Sequence, residues 1–322
     1  MRAWLALTIA SAVAALGCGP PPAPVYVSPP VAPLPAPAVA SLDAAGLGDL
    51  DDRMIEFAFD GGHLEFELYR NGDRILQVAR NRYAVPVMIA WTLSGFENVA
   101  PAGPSSGVAY LPPAPRPHAL GEAVVLAELR QPDPGARYRR DLHFRARFGD
   151  PRTRPAPYAY ALPYPHGLTF SVLQGFHGAF SHKGSNEYAI DFDCPVATRV
   201  LAARPGVVVA ANAAAQGSGT TAEYLDYNRT NFVIIQHDDG TLGEYMHLAP
   251  SSITVKPGDR VERLQPIALS GNTGFSSTPH LHFQVMTAGT DGVSALSFPF
   301  SLAVAPQRVE APVQGRRYAA WE

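Results

Sequence analysis

Cysteine is nearly absent. The 322 residues hold only Cys18 and Cys194, too few for a disulfide framework. Charge is also sparse: Asp, Glu, Lys and Arg make up 16% of the chain and the net charge is −3. The basic stripe that a nucleic-acid surface requires is missing. From residue 54 to 150 no long run of apolar residues recurs at 3.6-residue spacing, which argues against a helical body. The apolar stretch from Ala3 to Leu16 is too short for a transmembrane helix.

That stretch, with one early arginine and small residues before Cys18 ("MRAWLALTIASAVAALGC"), has the form of a signal for export. Its end, Ala15-Leu16-Gly17-Cys18, resembles a bacterial lipobox, in which the cysteine becomes the lipidated first residue. The alternative is an ordinary signal peptide with Cys18 discarded. A lipidated Cys18 leaves Cys194 without an intrachain partner, and the setting "YAIDFDCPV" fits a buried thiol rather than a nucleophile. Residues 19–53 are rich in Pro and Ala ("GPPPAPVYVSPPVAPLPAP") and read as an extended tether that builds no core.

Residues 54–150 alternate in short segments, "IEFAF", "HLEFELYR", "ILQVARNR", "VPVMIAWTL" and "HFRARF", broken by "DGG" and "NGD". This spacing predicts an antiparallel β-sandwich of immunoglobulin-like size. An aromatic-rich connector is expected over 151–173, and a second all-β unit over 174–322. In the latter, "RVLAARPGVVVAA" reads as two strands around "RPG", and "NFVIIQHDDGTLGEYMHL" as two strands around "DDG". The loop 212–229 is too long for a simple hairpin and is expected to wall a cleft, with Tyr224 and Tyr227 either contacting a ligand or anchoring the loop.

Histidines are placed where strand geometry makes them converge. In "TPHLHFQV", His280 and His282 project from one strand face while Leu281 and Phe283 point to the other. In "EYAIDFD", Asp191 lies opposite Tyr188, Ile190 and Phe192. In "YMHL", His247 is expected to share a face with Tyr245 rather than with Met246 and Leu248.

Five segments in order, "SHKGSNEYAIDFDCP", "VLAARPGVVV", "NFVIIQHDDGTLGEYMHL", "VKPGDRV" and "IALSGNTGFSSTPHLHFQV", resemble the M23 family of lysostaphin-type zinc metallopeptidases of bacterial cell walls. The similarity covers roughly Gln174 to Val285. It implies an M23-type antiparallel β-sheet peptidase domain after the sandwich, with His182, Asp191 and His282 as zinc ligands and His247 and His280 as the catalytic pair. Two imidazoles and a carboxylate suit Zn²⁺ and leave a fourth position for water. The implied reaction is zinc-assisted hydrolysis of a peptide bond in peptidoglycan. One of the two histidines acts as general base, and the other stabilises the oxyanion or protonates the departing amine. A helix-borne glutamate base is not expected, since His-Glu-x-x-His is absent.

Several features depart from the usual pattern. His182 and Asp191 are nine positions apart rather than four, a spacing found in the subgroup with a β-sandwich, and His177 competes as first ligand. Ala197, Leu264 and Thr278 stand where glycine is common. Tyr245 is a candidate support for His247. The resemblance further implies an exported, lipid-anchored envelope protein, with Gly19 after Cys18 favouring a periplasm-facing outer membrane. A noncatalytic activator or a peptidoglycan-binding lipoprotein on the same fold is the alternative.

Overall fold

The computed structural model describes residues 46–322, so the expected signal peptide, Cys18 and most of the tether lie outside the described residues. Order begins ahead of Met54, with a strand over Asp49–Phe59. That strand opens a five-stranded sheet in which Asp49–Phe59, Gly62–Asn71, Arg74–Asn81, Ala123–Arg130 and Ala100–Pro101 lie side by side. Ser106–Leu111, Val87–Glu97 and Arg139–Phe148 form a three-stranded sheet against it. Leu64, Phe66, Ile75, Ile89, Trp91 and Leu129 fill the space between the two, as alternation along each strand requires. The "NGD" break is a tight hairpin: Asn71 pairs Arg74, and Gly72 takes φ +63°, which a residue without Cβ adopts readily.

The second unit is built on a nine-stranded sheet. Its path runs Arg260–Val261, Gly206–Asn212, Phe232–Gln236, Leu242–Met246, Leu281–Ala288, Ile190–Phe192, Thr169–Gln174, Arg317–Ala319, and Ala295–Phe298 pairs on Leu281–Ala288. The strand Thr169–Gln174 comes from the stretch read as a connector, and it hydrogen-bonds directly to the Asp191 strand. "DDG" closes a true hairpin, with Gln236 opposite Leu242 and Gly240 at φ +81°. "RPG" does not. Arg199–Leu201 pairs with Pro266–Leu269, whereas Gly206–Asn212 pairs with Phe232–Gln236 and Arg260–Val261. The chain between them passes through buried Ala202, Ala203 and Arg204, and Arg204 is pinned by ion pairs to Asp238 and Asp239.

The two faces of this sheet have different fates. Ile190, Phe192, Val233, Ile235, Tyr245, Leu281, Phe283 and Val285 pack into one core. On the opposite face Phe232, Ile234, Leu242 and Met286 join Phe59, Ile89 and Phe148 of the sandwich in a second core, with the Phe59 and Phe232 rings 5.1 Å apart. The sandwich therefore covers one end of the face that carries Asp191 and His282, and the rest of that face is left as a groove. Among the described residues no helix is long and apolar enough to cross a membrane.

Candidate metal centre and its groove

Asp191 and His282 sit directly opposite each other on paired strands, because the register matches Ile190 to Phe283 and Phe192 to Leu281. Their side chains meet on the groove face, with Asp191 Oδ1 2.9 Å from His282 Nδ1. His182 arrives from the loop that precedes the Asp191 strand. Its ring is fully buried, and its Nδ1 lies 2.9 Å from the Gly175 carbonyl, which fixes Nδ1 as the donor. The other nitrogen, Nε2, is thereby aimed 3.1 Å from Asp191 Oδ2 with its lone pair available. One ligand atom from each of the three residues lies within 4.8 Å of the others.

The other two histidines flank this cluster. His280 Nε2 is 3.6 Å from Asp191 Oδ1, and its Nδ1 lies 2.8 Å from the Thr278 carbonyl. His247 Nδ1 is 2.7 Å from the Thr273 carbonyl, and the His247 and His280 rings are 4.5 Å apart between centroids. Each directs Nδ1 at a backbone carbonyl, so Nε2 is the nitrogen each turns toward the cavity. Two further imidazoles and three converging ligands thus share one buried cavity wall.

Electrostatics follow from burial and from the single carboxylate. Burial alone would raise the Asp191 pKa, but the imidazoles of His182, His282 and His280 that crowd its oxygens hold it well below the usual carboxylate range. Burial pulls His182 down, yet Asp191 outweighs it and the net shift is upward. His247 is pushed down to about 3, first by burial and then by the nearby His280 and His282. His182 Nε2 is buried without a hydrogen-bond partner, an expensive arrangement in a protein interior. Two nitrogens and one oxygen at this spacing fit a tetrahedral divalent cation, and the cation would satisfy that orphaned lone pair.

His177 does not take part. Its side chain is 60% exposed and pairs with Glu187. The expectation that His247 shares a face with Tyr245 is corrected. Tyr245 is fully buried in the opposite core, where its hydroxyl accepts from the Ala203 N–H at 2.7 Å. The strand ends at Met246 and His247 adopts φ +63°, so alternation stops and the imidazole turns back into the groove beside Met246.

Gln174 was not singled out in the sequence. Its amide donates to Asp191 Oδ2 at 2.8 Å and to Ser181 Oγ at 2.9 Å, and its Oε1 accepts from the Phe180 and Ser181 N–H groups. One side chain thus ties the His182 loop to the aspartate strand. A lone glutamine carries no pattern of its own, and only the fold brings it to Asp191.

The groove has a volume of about 390 Å³. Its rim is apolar: Phe180 and Leu225 are 63% and 66% exposed, and the Phe180 and Phe275 rings stack at 6.1 Å. The 212–229 loop forms one wall, as expected. Tyr224 and Tyr227 both line the groove, and Tyr227 also anchors the loop by donating its hydroxyl to Glu244 Oε1 at 2.8 Å. Cys194 is buried, and burial raises its thiol pKa, which leaves it an inert packing group.

An all-β chain with a buried His-Asp-His cluster, flanked by two further imidazoles on an open groove, is in class a candidate metal-dependent hydrolase. Residues 185–293, about a third of the chain, match the model of peptidase family M23. An uncharacterized metalloprotease of Buchnera aphidicola is 38% identical over 103 residues, 32% of this chain and 24% of the relative. Glycyl-glycine endopeptidase ALE-1 of Staphylococcus capitis is 37% identical over 131 residues, 40% of this chain and 28% of the relative. Peptidoglycan DD-endopeptidase ShyA of Vibrio cholerae is 37% identical over 130 residues, 39% of this chain and 27% of the relative. The similarity thus spans about a quarter of each relative's length.

Proposed function

We propose that the protein is a zinc-dependent endopeptidase that hydrolyses peptide bonds in peptidoglycan. The observation that carries this reading is the convergence of His182, Asp191 and His282 within 4.8 Å, with the His182 lone pair buried and unpartnered. Zinc held by these three residues would supply Lewis acidity toward a carbonyl and a water. The chain's own contribution is proton management. His247 and His280 present Nε2 lone pairs on the same cavity wall, close enough to serve one reacting amide. Burial keeps His247 neutral at physiological pH, and with Nδ1 engaged by the Thr273 carbonyl its cavity-facing Nε2 is an acceptor. Gln174 holds the Asp191 carboxylate in place through a hydrogen bond of 2.8 Å. The apolar rim and the Tyr224 loop suit an extended peptide lying across the sheet.

Relatives named as wall endopeptidases support peptidoglycan as the polymer. We place the protein in the exported cell envelope, tethered through Cys18 to the outer membrane and facing the periplasm. Metal analysis should find about one zinc per chain. Purified sacculi should lose turbidity with the wild-type chain, but not with His282→Ala or after chelation. Equal clearing by the variant, or chelator-insensitive binding without release of peptide fragments, overturns the hydrolase in favour of a noncatalytic wall-binding protein.

A further inference from the structure

Two residues along the strand from His282, and so about 7 Å away on the same face, the groove floor carries an acceptor group that the metal site does not use. Glu244 is fully buried in the middle of the strand Leu242–Met246, opposite Gln284 in the register. Its carboxylate accepts from the Tyr227 hydroxyl at 2.8 Å and from the Gln284 amide at 2.5 Å. Among the described residues no Arg, Lys or His forms an ion pair with it. Gln284 is 2% exposed and lines the groove, and its Oε1 is buried with no hydrogen-bond partner.

A structural explanation accounts for only part of this. A carboxylate gives each of the two donors its own acceptor oxygen, but burying one with no cationic partner is costly. The unused acceptor on Gln284 adds a second cost at the same spot. Both costs are recovered by a ligand group that brings a positive charge and several N–H donors. An ammonium fits on both counts, since it has three donors and no acceptor. The position is suitable too: one substrate residue spans up to about 3.6 Å of extended chain, so a side chain next to the scissile amide reaches this point. Arg147 of the sandwich closes the far wall. Its Nε donates to the Val293 carbonyl at 2.8 Å, and its guanidinium lies over the Tyr227 ring 5.2 Å from the centroid.

We propose that Glu244 and Gln284 form a specificity subsite for a free ammonium group on the substrate residue beside the cleaved bond. The inference rests on the endopeptidase reading. It narrows the substrate to peptides containing a diamino acid with one amine free, as opposed to unbranched glycine bridges.

The test is a binding comparison on the full chain carrying His280→Ala, so that turnover does not intervene. Two lysine-containing peptidoglycan stem pentapeptides are titrated by calorimetry, one with the Nε amine free and the other with it acetylated. Preference for the free amine by about tenfold to a hundredfold is expected, the range for a charge-assisted contact in a desolvated pocket. Glu244→Gln, an isosteric change, should bring the preference to within about twofold. Equal affinity of the two peptides for the Glu244-containing chain overturns the subsite, whether or not the variant folds. Clearing of sacculi by the wild-type chain is scored separately. A protein that clears sacculi without discriminating the amines refutes only the subsite. One that does neither refutes the endopeptidase reading as well.

Discussion

Gln174 shows how one side chain sets the chemistry of another. Its amide fixes the Asp191 carboxylate from behind, and its carbonyl end caps the loop that delivers His182. Replacing it with methionine, which keeps the volume and removes the hydrogen bonds, should lower zinc affinity about 10- to 100-fold, the usual cost of losing a ligand's outer hydrogen-bond partner. Competition with a chromogenic chelator measures this directly. Unchanged affinity would mean that Asp191 is held by its strand alone. The titrating groups give a second expectation, for the metal-free protein. The His247 pKa is depressed from 6.5 to about 3 in the folded state. The unfolded chain therefore binds more protons between those values, and stability falls on acidification through that window, by at most about 1.4 kcal/mol per pH unit. His182 is shifted the other way, so its contribution is complete below 6.5 and is lost as pH rises through its elevated folded value. Urea titrations at a series of pH values should show both limbs. His237, depressed to about 4 by burial, adds to the acidic limb, so His247→Gln should make that limb shallower without abolishing it and leave the alkaline one.

At the scale of elements, strand parity was legible wherever a strand continued past the residue in question. Asp191 and His282 lie within Ile190–Phe192 and Leu281–Ala288, and alternation placed both on the groove face. It failed for His247, which begins the turn after its strand, since a left-handed residue breaks the period of two. Turn residues marked chain reversals without naming partners. "DDG" joined neighbours, whereas "RPG" separated strands that pair elsewhere, because long-range register is not encoded in a dipeptide. Glu244 and Gln174 lacked any sequence signal, as each matters only through a partner far away in the chain. The positions where glycine was expected did carry local information. Ala197 and Leu264 adopt φ +68° and +67°, a region that costs an L-residue roughly 1–2 kcal/mol. Ala197 is exposed, so Ala197→Gly loses little packing. It should raise stability by about 0.5–1 kcal/mol after the extra entropy of glycine in the unfolded chain is subtracted. Thermal unfolding would show this as a higher midpoint, and a lower one would mean that the turn relaxes without strain.

Across the whole molecule, the sequence showed two β-units in succession but not that they share a core. Phe59 and Phe148 come from the sandwich, and Phe232, Leu242 and Met286 from the groove-bearing sheet, yet all five belong to one buried cluster. Alternating patterns assign each strand an apolar face without saying which other strand covers it. Here part of the sheet's site-bearing face is apolar because the sandwich lies on it, and the remainder is polar because it opens to a groove. The sandwich is therefore the end wall of the site, with Arg147 reaching the groove from its last strand. Separate unfolding of the two units would expose Phe232 and Ile234, which are fully buried, so the folded part should melt in one cooperative transition. Phe59→Ala removes the ring that meets Phe232 at 5.1 Å and Tyr227 at 6.2 Å. It should cost about 3–5 kcal/mol and lower that single transition. Because Tyr227 anchors the groove wall, the same change should weaken substrate binding while leaving zinc content intact. Two resolved transitions by calorimetry, with only the earlier one sensitive to Phe59→Ala, would show instead that the sandwich is an independent body and that the groove holds its shape without it.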